Sequence, residues 1–173
     1  MPVISGGMVI EGALGRAITT SGAPVAGTNE VQTLTIGGTP TAGTFTLSLE
    51  GRPTGSITWS NVNATLLAAI NTACDAAFGT ASVVATAGTL TAGIGTILLT
   101  FGAAYARRAV STMTASSSLT GTAPTLAIAE TTPGVDATYR GAATGSMLTR
   151  TDTGILHVNT STTAGAPTWT AQA

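Results

Sequence analysis

Charge is what this chain has least of. Only 8% of its 173 residues are Asp, Glu, Lys or Arg, against about a quarter in ordinary soluble domains. All six basic residues are Arg, and there is one His and one Cys. Catalysis needs titratable groups converging in one place, so this supply argues against an enzyme. A structural zinc site wants about four ligands at defined spacing, and His157 and Cys74 do not make that number. No catalytic residue, no cofactor-binding residue, no cofactor and no metal ligand is expected. A single cysteine excludes an internal disulfide. The net charge of −1 leaves no basic stripe for nucleic acid. No apolar run reaches the roughly 20 residues that cross a bilayer, so no membrane partner is expected. Met1–Ile10 lacks the basic region of a signal peptide, which points to synthesis in a cytoplasm. With 4% aromatic residues, the core has to be built from Val, Ile, Leu and Ala.

What the chain does have is Thr, Ala, Gly and Ser in short alternating runs. Alternation of apolar and hydroxyl side chains is the pattern of a sheet with one buried and one wet face. A small domain near neutrality tends to associate, so permanent assembly into an oligomer is expected.

Three segments follow from composition. Residues 1–28 read as an extended N-terminal arm interrupted by glycines, with Met8, Val9, Ile10 and Leu14 able to dock on a neighbouring subunit. Residues 29–132 read as a β-rich module with one helix. Val31–Ile36 and Thr44–Glu50 form an expected hairpin around Gly37–Gly43, with Leu34, Ile36, Phe45, Leu47 and Leu49 facing in. Ser56–Trp59 is a short strand. A helix capped by Asn63 and stopped by Gly79 carries Leu66, Ile70, Cys74 and Phe78 at helical spacing. Further strands are expected at Ala81–Ala85, Thr96–Phe101, near Ala109–Ala115 and at Thr125–Glu130. Residues 133–173 read as a linker and a C-terminal β-hairpin region, with strands at Met147–Thr151, Ile155–Asn159 and around Trp169. The fold class is mainly β (α+β): an antiparallel sheet or sandwich module with one helix.

The run Glu30-Val31-Gln32-Thr33-Leu34-Thr35-Ile36, then Thr39-Pro40-Thr41-Ala42-Gly43 and Thr44-Phe45-Thr46-Leu47-Ser48-Leu49, resembles a module of virion proteins of tailed bacteriophages. Ile57-Thr58-Trp59, an Ala-rich helix and a Val-rich strand continue the resemblance. Gly37-Gly38, and Trp59 where Tyr is common, depart from it. The run Thr151 to Thr160, with Trp169-Thr170 after it, resembles a recurrent ending of phage head and fibre proteins, with His157 where Tyr is usual. The resemblance implies a capsid decoration (cement) protein or minor head protein on the outer capsid surface. Its implied partners are the major capsid protein and further copies of itself, as a trimer. A tail tube or fibre component is the rival reading. A host-surface or carbohydrate-binding module is another, for which aromatic platforms are scarce.

Few residues invite chemistry. Ser146, Asp152 and His157 are formally a catalytic triple, but no nucleophile-elbow sequence surrounds the serine. His157 fits a half-exposed strand position. Cys74 falls on the buried helix stripe. Arg107 and Arg108 fit a partner contact, since Arg is enriched at interfaces. Trp59 fits the core, and Trp169, near the end of the chain, fits an interface anchor.

Overall fold

Along Val31–Leu49 the buried side chains change parity. Leu34 and Ile36 are buried at even positions, Phe45, Leu47 and Leu49 at odd ones. A strand has period two, so an unbroken strand cannot bury both sets on one face without an extra residue. In the computed structural model, which describes residues 18–163 and 165–172, that residue is supplied by bulges. Val31–Leu49 is one strand of 19 residues, β2, with register shifts between Gly37 and Thr39 and between Pro40 and Ala42. The hairpin expected around Gly37–Gly43 is therefore absent. The glycines and proline that suggested a turn instead let a continuous strand bend.

Strand numbering runs from β1 (Ile18–Thr20) through β2 to β3 (Arg52–Pro53), β4 (Ile57–Thr58), β5 (Val83–Ala87), β6 (Gly95–Phe101) and β7 (Thr114–Thr132). β8 (Met147–Arg150), β9 (Leu156–Asn159) and β10 (Trp169–Ala171) complete it. β7 replaces the two strands expected near Ala109–Ala115 and at Thr125–Glu130. It is one strand of 19 residues, antiparallel to β2 from end to end. Its half-buried residues also change parity, from Ala115 and Leu119 to Leu126 and Ile128. The two strands bend together as a ribbon. β7 takes one edge of β2, and β6, β4 and β3 share the other, with β5 beyond β6.

The helix α1 (Asn63–Phe78) buries Leu66, Ile70, Cys74 and Phe78 at four-residue spacing against this sheet. Each large apolar side chain so buried contributes about 1.5–3 kcal/mol. Gly79 ends the helix, at φ 96°. The N-cap is Val62 rather than Asn63. The Asn63 amide turns to the loop between β5 and β6, donating to the Leu90 carbonyl (2.8 Å) and accepting from Gly93 N–H (2.9 Å). An amide can satisfy two loop groups at once, whereas a cap satisfies one helix N–H.

Two buried polar residues at the start of β2 lead the chain into β7. The Glu30 carboxyl accepts from Val110 N–H (2.6 Å) and from the Gln32 amide, and Gln32 accepts from Met113 N–H (2.8 Å). Both residues are fully enclosed. Their side chains do for Val110–Met113 what a strand ladder would do.

The second sheet has the order β1-β8-β9-β10, parallel between β1 and β8 and antiparallel elsewhere. β1 belongs to the segment expected to be an arm. From Ile18 onward that segment is tied to its own chain, by β1 on β8 and by paired hydrogen bonds between Thr28 and Val135 (3.0 Å each). Asn159 holds the sheet's loops. Its amide donates to the Ala142 and Ala143 carbonyls and accepts from Ser161 and Thr168 N–H.

Candidate assembly surface

β7 is the long open edge of the larger sheet. None of its 19 residues is buried, and Glu130 is its only charge. Which of its backbone groups are open follows from β2. Leu47 N–H and C=O engage the Thr54 hydroxyl and N–H, and the Gly43 carbonyl accepts from Trp59 N–H. Gly43, Phe45 and Leu47 thus address β3 and β4, leaving Thr44, Thr46 and Ser48 to address β7. Antiparallel partners alternate between pairs that exchange both hydrogen bonds and pairs that exchange none. Ala115, Ser117 and Leu119, opposite Leu47, Phe45 and Gly43, therefore turn their N–H and C=O groups away from the ribbon. Leu119 N–H accordingly meets only the Ser117 hydroxyl, at 3.3 Å. In the other half, Phe101 N–H donates to the Glu30 carbonyl, so Gln32, Leu34 and Ile36 address β6. Leu126, Ile128 and Glu130 then face outward.

The two faces of the ribbon differ. On one, Thr44, Thr46 and Ser48 stand opposite Ser118, Ser116 and Thr114, a hydroxyl ladder that is wet without charge. On the other, Ala115, Leu119, Leu126 and Ile128 pack half-buried against the core.

The opposite edge of the sheet is treated differently. At β5, Ala85 N–H donates to Asn71 Oδ1 (2.7 Å) and the Asn71 amide donates back to the Ala85 carbonyl (3.2 Å). Asn71 projects from α1 and imitates one residue of a further strand. Covering an edge in this way blocks unwanted pairing. β7 has no such cover among the described residues.

Arg107 and Arg108 are both engaged within the chain, Arg107 by the segments between β1 and β2 and between β7 and β8. Arg107 N–H donates to Asn29 Oδ1 (2.8 Å), its guanidinium to the Ala26 carbonyl (3.1 Å), and its carbonyl accepts from Ala137 N–H (2.9 Å). Arg108 pairs with Glu50 at 2.7 Å and lies 4.7 Å above the Tyr105 ring. Trp169 is half-buried and donates from Nε1 to the Thr138 carbonyl (2.8 Å). Each of these three side chains makes at least one bond within the chain, while Arg108 Nε is buried without a partner among the described residues. Met8, Val9, Ile10 and Leu14 lie outside the described residues. Trp59 is half-buried at the core margin, bonded to the Gly93 carbonyl (3.0 Å). It borders an open groove of about 560 Å³ beside the bend at Pro40–Gly43.

His157 is buried, at 7% exposure, and its Nδ1 has no partner; it is not the half-exposed residue expected. Its register partners in the second sheet are Leu148 of β8 and Ala171 of β10. Asp152 is turned to Arg150, whose two hydrogen bonds hold its carboxyl below the usual carboxylate range. Ser146, Asp152 and His157 make no hydrogen bonds to one another, so the triple does not assemble. Cys74 is fully buried, and burial, then the Asp75 charge, pushes its thiol up to about 12. Among the described residues no three His, Cys, Asp or Glu side chains gather as a metal site would require. No described helix is long and apolar enough to cross a membrane.

Asn71, Glu30, Gln32 and the outward backbone of β7 were not visible in the sequence as functional or organising residues. The one available signal was the uncharged Thr/Ser run Thr114–Thr120, which reads equally as surface.

No family model matches the chain, and no curated protein matches it. Among solved structures, a chain of Mycobacterium phage Patience is similar at 18% identity with a TM-score of 0.36. The match covers 84% of this chain and 55% of that one, so this chain spans about half that neighbour's length. A likeness of that size carries no conclusion about fold or role.

Proposed function

We propose that this chain is a structural protein of a tailed-phage particle, a capsid decoration (cement) or minor head protein that clamps the outer shell. It works by association and not by catalysis. The observation that carries the reading is β7, a long edge strand with one charge and a row of hydrogen-bonding groups that nothing among the described residues covers. Such an edge is a liability in a solitary domain and an asset in an assembly. The sequence runs that resemble phage virion modules support the particle address. The partners in this reading are the major capsid protein and further copies of the chain. Burial of strand edges and apolar margins across subunit seams would raise the force the shell withstands.

The test is add-back. Particles lacking the chain are mixed with the purified protein, and binding and the temperature of genome release are measured. The reading expects binding that saturates at a fixed number of copies and a raised release temperature. No binding to heads, or binding confined to tails, would contradict it.

A further inference from the structure

We infer that Thr114–Thr120 of β7 pairs with the same segment of a second copy, antiparallel about a two-fold axis at Ser117, so that two sheets join edge to edge. The inference rests on the assembly reading above but not on the virion assignment.

The geometry singles out this half of the strand. Its outward-facing residues, Ala115, Ser117 and Leu119, are spaced symmetrically about Ser117. A two-fold rotation sets Ser117 opposite Ser117 and Ala115 opposite Leu119. Each of those pairs exchanges both hydrogen bonds, because both members face outward. The intervening pairs bring Ser116 beside Ser118, hydroxyl to hydroxyl on the wet face, a favourable cross-strand match. Ala115 and Leu119, half-buried against the core margin, are covered further by the added strand.

Charge selects the occupant. Thr114–Thr120 has no charged residue, no Pro and no Gly, so a second copy meets no like charge, and the whole chain carries only −1. The other half of β7 is a poorer self-partner. Centred on Ile128, it would set the Glu130 carboxylate of one copy against Leu126 of the other, at both ends of the contact. At the β5 edge Asn71 already holds the groups of Ala85, the central outward residue, so a strand docking there would have to displace it. A two-fold contact closes at two copies, unlike the trimer that the sequence resemblance implies.

The full chain is tested by native mass spectrometry and sedimentation across a micromolar concentration series, with amide hydrogen exchange at each step. The expected result is a dimer whose fraction rises with concentration, with exchange slowing at Ala115, Ser117 and Leu119. Ser117→Pro removes an outward N–H and leaves the β2 ladder whole; it weakens dimerisation about tenfold or more with the circular dichroism unchanged. Ser117→Lys sets two ammonium groups at the axis and weakens it likewise, more so at low salt. A monomer throughout, a trimer, or a dimer indifferent to both substitutions would overturn the inference. A dimer of this kind that binds no particle would leave it standing and overturn the function proposed above.

Discussion

Cys74 shows how far one side chain is governed by its surroundings. Helix α1 closes it against the sheet, and its thiol is raised from 9.0 to about 12. The thiolate is the reactive species, so the native chain is expected to resist maleimide at neutral pH and to react fully once unfolded. The raised pKa also makes stability pH-dependent. The unfolded thiol loses its proton first, so the stabilisation is complete below about pH 9 and erodes as pH rises toward 12. Alkaline melts of the wild type and Cys74→Ala should differ in slope over that window; equal slopes would contradict the assignment. His157 carries a second expectation. The resemblance puts Tyr at this position, but the site is closed. His157→Tyr is expected to overpack it and cost about 1–3 kcal/mol in chemical denaturation, and a variant as stable as the parent would show that the sheet opens to accept a phenol.

The ribbon is where reading from sequence went furthest and then failed. The inward and outward faces of Val31–Ile36 and Thr44–Leu49 were legible because period-two alternation survives in both halves. The connection was not. A change of parity at Gly37–Gly43 is equally the mark of a turn and of a bulged strand, and what decides between them is a partner strand some 80 positions away. Glu30 and Gln32 were illegible as anchors for the same reason, since Val110 and Met113 are distant in sequence. The helix was legible because its stripe is local, although the role of Asn63 was not. The bend depends on Gly121, at φ 136°, where an added Cβ would stand 2.2 Å from the Thr39 carbonyl oxygen. Gly121→Ala is expected to destabilise the chain by about 1–3 kcal/mol, measured by thermal unfolding, whereas Gly141→Ala, with open space around it, should be close to neutral. Equal effects would mean that the bend is not held by the ribbon's own backbone.

For the molecule as a whole, scarce charge and abundant hydroxyls are what raise the expectation of association. The surface proposed for it was hidden in the sequence, because an open edge is a property of pairing and not of any residue type. Arg107, Arg108 and Trp169 were expected as partner contacts by residue type, and each also bonds within the chain. The account's central claim is that the chain is a repeated structural part of a particle. Quantitative mass spectrometry of purified particles, counting this chain against the major shell subunit, tests it most directly. The account predicts on the order of hundreds of copies in a fixed simple ratio to that subunit, as closed symmetric assembly requires. A handful of copies per particle, or none, would contradict it.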